Sequence, residues 1–131
     1  MPDRILVIED DDATRHAYER AFACAGYRTQ GYADYYEAAE EIDKGAGALL
    51  VVDLRLPPGT PNGLAVARMA RRHRPGLPII FVTGNPELAE HIDPEMGPVL
   101  LKPIDLALLV STAGARLKVP YTMCGRPAGF K

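Results

Sequence analysis

Residues 4–12 read RILVIEDDD, a short apolar run that leads directly into four acidic side chains. Three later segments repeat this form with a different polar residue after each. They are 48–52 before Asp53, 78–82 before Thr83, and 99–101 before Lys102 and Pro103. Strands of a parallel sheet all end along one edge, so we expect these polar residues to converge there. The sequence therefore predicts one pocket that contains carboxylates, a hydroxyl and an ammonium.

Each of these residues also has an ordinary structural explanation. Asp and Thr often follow a strand because they cap the next helix, and Lys is mostly a surface charge. Their joint occurrence at four strand ends, in the order acid, acid, hydroxyl and ammonium, makes coincidence a poor explanation. The combination supports a functional pocket, whereas no single member does.

Composition limits the classes of protein that need to be considered. A chain of 131 residues fits one domain, and a net charge of −2, from 15 basic and 17 acidic residues, does not favour nucleic acid or an anionic membrane as a partner. Cys24 and Cys124 have no metal-binding spacing, which predicts reduced thiols and no zinc site. No apolar stretch is long enough to span a bilayer, so we expect a cytoplasmic protein.

Short β-branched runs alternate with helical-period segments, which predicts an α/β fold with five repeats of strand then helix around a parallel sheet. The first helix is expected to start near Asp12 as its N-cap, and Asp34 with Glu37 forms a capping pair for the second. Proline positions limit the fourth helix to about 86–92. Residues 1–117 form the predicted domain, and 118–131 form an irregular tail.

The chemistry of the predicted pocket favours phosphoryl transfer. Glu9 and Asp10 facing Asp53 would repel one another unless a hard cation lay between them, and oxygen ligands in this number suit Mg²⁺. Thr83 and Lys102 supply a hydroxyl and an ammonium for phosphoryl oxygens. Asp53, alone at the end of its strand, is in the position of a nucleophile.

The motifs ILVIEDDD, VVDLRLP, FVTG and LLKP, in this order, closely resemble the receiver domains of bacterial two-component response regulators. The resemblance covers about residues 4–117, and spacings of 43, 30 and 19 residues separate Asp10, Asp53, Thr83 and Lys102. It implies a flavodoxin-like sheet of strand order 2-1-3-4-5 with helices on both faces.

The same resemblance implies a role for each site residue. Asp53 would be the phosphoacceptor, and Lys102 with Thr83 would contact the phosphoryl group. The Mg²⁺ ligands would be Asp53, Asp10 directly, Glu9 through water and the main-chain carbonyl of Arg55. A cis bond between Lys102 and Pro103 would aim the lysine.

The resemblance also implies partners and a mode of action. The phosphoryl donor would be a sensor histidine kinase or a histidine phosphotransfer protein, and the output would be contact with a downstream protein target. The domain would catalyse its own phosphorylation and dephosphorylation, so it would be a switch and not an enzyme with turnover.

Three features depart from the usual receiver pattern. Val99 stands where many receivers have an aromatic residue of the switch, and the fourth helix is short. Helix five is apolar over a wide arc, so we expect Leu106, Val110 and Ala113 to lie partly outside the core. A partner, the tail or a homodimer through helix five would cover them.

Two other interpretations stay open. The chain is either a receiver that acts without an output domain or a fragment of a longer regulator or hybrid histidine kinase. An aspartyl-nucleophile phosphatase is the alternative from another class, although such enzymes usually have a second Asp where this chain has Arg55. A nucleotide- or flavin-binding domain is disfavoured because no GxGxxG follows the first strand.

Overall fold

The computed structural model describes residues 4–117, which form five strands alternating with five helices. In chain order the elements are β1 (Arg4–Ile8), α1 (Asp12–Cys24), β2 (Arg28–Tyr32), α2 (Tyr35–Asp43), β3 (Leu49–Asp53), α3 (Gly63–His73), β4 (Ile79–Thr83), α4 (Pro86–Glu90), β5 (Val99–Leu101) and α5 (Leu106–Leu117). This confirms the five predicted repeats. The predicted tail, residues 118–131, lies outside the described residues.

The five strands form one sheet in the order β2-β1-β3-β4-β5, and every neighbouring pair is parallel. The predicted flavodoxin-like topology is therefore confirmed. β1 and β3 are neighbours in the middle of the sheet, so the chain that leaves β1 comes close to the end of β3. The carboxyl ends of β1, β3, β4 and β5 thus lie along one edge.

Helices cover both faces of the sheet, and successive strand residues alternate between two cores. Leu6 and Ile8 pack with α2 and α3, and Ile5 and Val7 pack with α1 and α5. β3 is buried throughout because it has neighbours on both sides and helices on both faces. These apolar strands form a rigid base for the polar residues at their ends.

The start of α1 corrects one prediction, because the N-cap is Asp11 and not Asp12. Asp11 Oδ2 accepts hydrogen bonds from the Thr14 hydroxyl at 2.6 Å and from the Thr14 amide at 2.9 Å. These two bonds hold the pKa of Asp11 below its usual value. Asp12 lies in the first turn and pairs with Arg15 at 2.6 Å. In a run of four acids, the position of Thr14 decides which one caps the helix.

The predicted reduced state is also wrong for Cys24, which is disulfide-bonded in the structure. Cys124 lies outside the described residues. A count of cysteines and their spacing to other ligands does not report their redox state, so composition alone could not settle the state of Cys24.

The fourth helix is as short as predicted, since α4 has five residues, Pro86–Glu90.

For α5 the prediction was partly wrong. Val110 and Ala113 are buried against α1 and the sheet, whereas Leu106 and Leu108 are 37% and 49% exposed. The helix begins at Leu106, and its packing against α1 and the sheet turns Val110 and Ala113 inward.

Within residues 4–117, no helix combines the length and the apolar character that a bilayer crossing requires.

Close packing at Gly63 ties α3 to the end of β3. A Cβ at Gly63 would overlap the carbonyl oxygen of Asp53 and lie 2.8 Å from the Cα of Leu54. We therefore expect Gly63→Ala to lower the free energy of unfolding by about 2 kcal/mol, because the helix must shift away from the strand. Urea denaturation measures this, with Gly76→Ala as the control, since a Cβ there meets nothing within 4 Å. Equal stability of the two variants would contradict the packing argument.

Candidate functional site

The predicted acids meet at the sheet edge, with Glu9 and Asp53 buried and Asp10 exposed. Glu9 follows β1 and is 1% exposed, and Asp53 ends β3 and is 4% exposed. One carboxylate oxygen from each of the three residues lies within 4.8 Å of the others. Asp53 Oδ1 accepts a hydrogen bond from the Arg55 amide at 2.9 Å, which fixes the rotation of the carboxylate.

Lys102 joins the two buried carboxylates. Its Nζ donates to Glu9 Oε1 at 2.8 Å and to Asp53 Oδ2 at 2.5 Å. Its main-chain amide donates to the carbonyl of Thr83 at 2.8 Å, which fixes the lysine at the end of β5 beside β4. The peptide bond between Lys102 and Pro103 is cis, as the resemblance implied. An ammonium therefore lies between the carboxylates, where we had expected only a metal ion to relieve their repulsion.

The titration behaviour of the cluster follows from burial and charge. Burial raises the pKa of Glu9 to about 7, against the hydrogen bonds from Lys102 and the Asp11 amide, which lower it. Burial also acts to lower the pKa of Lys102, but the hydrogen bonds to Asp53 and Glu9 outweigh it and the net direction is upward. Lys102 is therefore charged at neutral pH, and the raised pKa of Glu9 brings the titration of this carboxyl into the neutral range.

Thr83 lines a cavity of about 480 Å³. Its side chain is buried, and Oγ1 accepts a hydrogen bond from the Asn85 amide at 3.1 Å. Asn85 caps α4 through Oδ1, which accepts from the Glu87 amide at 2.9 Å. The cavity is lined by Asp53, Arg55, Thr83, Gly84, Asn85, Pro86 and Lys102. Every predicted phosphoryl-contacting residue thus borders one space.

The donor set of the site fits Mg²⁺. Glu9, Asp10 and Asp53 offer carboxylate oxygens, which are hard ligands, and Asp10 is open to solvent. Both oxygens of Glu9 already accept hydrogen bonds, one from Lys102 and one from the Asp11 amide at 3.2 Å. Both oxygens of Asp53 accept hydrogen bonds as well, from the Arg55 amide and from Lys102, so the exposed Asp10 is the acid best placed to bind a cation directly. Arg55 lies two residues beyond Asp53, beside the same cluster.

Two residues at the site escaped the sequence interpretation. Arg15 lies on α1, and its guanidinium donates to the main-chain carbonyl of Glu9 at 2.9 Å and so anchors the acidic loop. The ring of Tyr18 lies in the core, but its hydroxyl has no hydrogen-bond partner in the described part of the chain. Helical periodicity reports which face a residue is on and not what its polar end reaches.

Val99, at the position of the usual aromatic residue, is partly buried beside the α2 and α3 core.

Comparison with known proteins agrees with this geometry. A family model described as the response regulator receiver domain matches residues 5–113. The response regulator receiver protein CpdR of Brucella abortus is 33% identical over 111 residues, which cover 82% of this chain and 91% of that protein. Response regulator MprA of Mycobacterium sp. (strain KMS) is 31% identical over 121 residues, or 90% of this chain. The chain spans about half of that relative's length, 52%.

Solved structures give the same result. A CheY-like response regulator receiver domain protein from Methanospirillum hungatei superposes with a TM-score of 0.78 at 25% identity, covering 90% of this chain and 95% of that one. A response regulator receiver protein from Sinorhizobium medicae has a TM-score of 0.78 at 28% identity, covering 88% and 94%.

Proposed function

The chain belongs to the response regulator receiver domain family, and on that premise we propose that Asp53 accepts a phosphoryl group from a phosphohistidine side chain of a partner. Receiver domains are phosphoacceptor switches of two-component signalling, and they work with histidine kinases or phosphotransfer proteins. The observation that carries the proposal is the buried Asp53 carboxylate, 2.5 Å from Lys102 Nζ beside two more acids.

The proposed step exchanges one bond to phosphorus for another. An Asp53 carboxylate oxygen attacks the phosphorus, an O–P bond forms, the N–P bond breaks, and the partner's imidazole leaves. Lys102 and the Thr83 hydroxyl bind the phosphoryl oxygens, whose charge must be stabilised during transfer. Water later hydrolyses the acyl phosphate and restores the Asp53 carboxylate. The rigid strand ends supply positioning, which is most of what this chemistry requires.

The metal belongs to the same proposal. Asp10 and Asp53 bind Mg²⁺ directly, with the main-chain carbonyl of Arg55, and Glu9 binds it through water. When bound, Mg²⁺ offsets the charge of the acids and orients phosphoryl oxygens. Incubation with acetyl phosphate and Mg²⁺, followed by intact mass measurement, tests the function: one added phosphoryl group per chain supports it, and no addition contradicts it.

Other parts of the proposal concern partners and context. The phosphoryl donor is a sensor histidine kinase or a histidine phosphotransfer protein, and the signal passes by contact with a downstream protein. A cytoplasmic location and a homodimer through α5 stay predictions. Leu106 and Leu108 are the large apolar residues of that helix that are exposed. Slow single modification, rather than rapid turnover of a small phosphate ester, separates this switch from the phosphatase alternative.

Metal affinity separates the roles of the two acids after β1. We expect Asp10→Asn to weaken Mg²⁺ binding about tenfold or more, because one carboxylate charge beside the ion is worth more than ~1 kcal/mol. Glu9→Gln should weaken Mg²⁺ binding only roughly threefold, because both Glu9 oxygens are already hydrogen-bonded and the proposed contact of Glu9 with the metal runs through water. Calorimetric titration with MgCl₂ measures both.

Asp12→Asn is the matched control for these variants, because it removes an exposed acid two residues from Asp10 that is outside the three-carboxylate group. Its Mg²⁺ affinity should equal that of the wild type. Equal losses for Asp10→Asn and Glu9→Gln would refute the distinction between direct and water-mediated binding.

A further inference from the structure

Tyr18 is a buried polar residue that the proposed mechanism does not use. It lies on α1 and is 2% exposed, and in residues 4–117 its hydroxyl oxygen is the buried side-chain polar atom without a hydrogen-bond partner. Buried polar atoms are nearly always paired, because an unpaired one loses its contact with water and gains nothing in return. The unpaired hydroxyl of Tyr18 therefore requires a physical reason.

The position of Tyr18 connects it to Lys102. A groove of about 610 Å³ runs between α1 and the start of α5, and both residues line it. Lys102 also lines the 480 Å³ cavity beside Asp53. Lys102 thus borders both spaces, with Asp53 lining one and Tyr18 lining the other.

Electrostatics support this placement. Burial raises the pKa of Tyr18 to about 12, and the charges of Lys102, Glu9 and Asp53 also act on it, the lysine in the opposite direction. The phenol is therefore protonated across the neutral range. Its oxygen retains lone pairs that can accept a hydrogen bond.

An ammonium has three N–H donors, and Lys102 uses two of them on Glu9 Oε1 and Asp53 Oδ2. Under the proposed function, a phosphoryl group on Asp53 replaces that carboxylate as the target of the lysine. The ammonium must then move, and its hydrogen bonds are redistributed. An acceptor on the α1 side of the lysine would bind the third N–H of the ammonium once it has moved.

We infer that Tyr18 is a positioning residue for Lys102: its hydroxyl is unpaired while the ammonium binds Glu9 and Asp53, and it accepts a hydrogen bond from that ammonium when Asp53 carries a phosphoryl group. The inference rests on the proposed function. A group that is unpaired in one state and hydrogen-bonded in the other favours the second state by the free energy that the hydrogen bond contributes. Tyr18 would thus bias the switch toward its phosphorylated form.

Tyr18→Phe tests the inference because it removes the hydroxyl and keeps the ring. Without ligand, its thermal unfolding midpoint should equal or exceed that of the wild type, since no hydrogen bond is lost. With saturating Mg²⁺, its affinity for beryllofluoride, a phosphoryl mimic, should be about fivefold weaker, the effect of one hydrogen bond. A purely structural role would change stability and leave the affinity unaltered.

Tyr32→Phe is the matched control. Tyr32 is a partly buried phenol that packs with the other core, beside α2 and α3. Loss of the Tyr32 hydroxyl should leave the affinity of the protein for beryllofluoride unchanged. Equal affinity for wild type and Tyr18→Phe, or a lower unliganded unfolding midpoint for Tyr18→Phe, would overturn the inference alone. A wild-type protein that neither binds beryllofluoride nor gains phosphate would refute the proposed function, and the inference with it.

Discussion

Asp53→Asn is expected to abolish phosphorylation by acetyl phosphate completely. The amide has nearly the same shape as the carboxylate but is a much weaker nucleophile, so the site should persist without its reactive group. Asp53 is the acid that combines burial, a 2.5 Å contact with Lys102 and a carboxylate fixed by the Arg55 amide. Intact mass measurement after incubation with Mg²⁺ and acetyl phosphate should show one added group in the wild type and none in the variant.

Asp43→Asn is the control for that experiment. Asp43 ends α2, and its side chain is 56% exposed, so the same chemical change occurs far from the three-carboxylate group. This variant should gain phosphate at the wild-type rate. If Asp53→Asn were still modified at a comparable rate, with the phosphate on Asp10 or Glu9, the assignment of the phosphoacceptor would be wrong.

The fold was predictable because its signals are periodic and repeated. Each strand is a short apolar run, and the topology of a parallel sheet requires such strands to end along one edge. That single geometric rule brings Glu9, Asp53, Thr83 and Lys102 together from separate parts of the sequence. No pairwise contact had to be known in advance, which is why the site could be predicted as well as the sheet.

What could not be predicted depends on the reach of individual side chains. The ion pairs of Lys102 with Glu9 and Asp53 depend on the rotamers of these three side chains. Their distances also depend on where the end of β5 places the lysine. The same applies to Arg15, which turns back to the Glu9 carbonyl, and to the hydroxyl of Tyr18. Hydrophobic periodicity contains no information about the polar end of a mostly apolar side chain.

The helix-five error has a similar origin. Counting apolar residues indicated an arc too wide for one buried face, but the count could not say which residues of the arc turn inward. That choice depends on the rotation of the helix about its own axis, which its packing against α1 and the sheet sets. In the structure, Val110 and Ala113 pack with α1 and the sheet, and Leu108 faces outward.

Lys102→Met is expected to have the second large effect. It should lower both the free energy of unfolding and the rate of phosphorylation. The change leaves the Glu9 and Asp53 carboxylates buried without their shared cation. Breaking one side of a buried ion pair costs about 3–5 kcal/mol, and the partial exposure of Lys102, 28%, favours the lower end. Urea denaturation near pH 8 without Mg²⁺ should show this loss. Phosphorylation should also slow by about 100-fold, because one donor to the transferring group is removed.

The pH dependence of that loss identifies its cause. A Glu9 carboxyl whose pKa is raised to about 7 in the folded protein, above about 4.3 unfolded, destabilises the fold progressively as the pH rises between these values. Without Lys102 the destabilisation by the ionised Glu9 carboxyl grows. The free energy of unfolding of Lys102→Met should therefore rise back toward the wild-type value as the pH falls toward 5. It should also rise near pH 8 when Mg²⁺ is added. Lys44→Met, which breaks an exposed pair with Glu40, should change stability by less than about 0.5 kcal/mol at either pH. A Lys102→Met protein as stable as the wild type near pH 8 without Mg²⁺ would mean that the carboxylates do not need the ammonium, and that Lys102 acts only on the phosphoryl group.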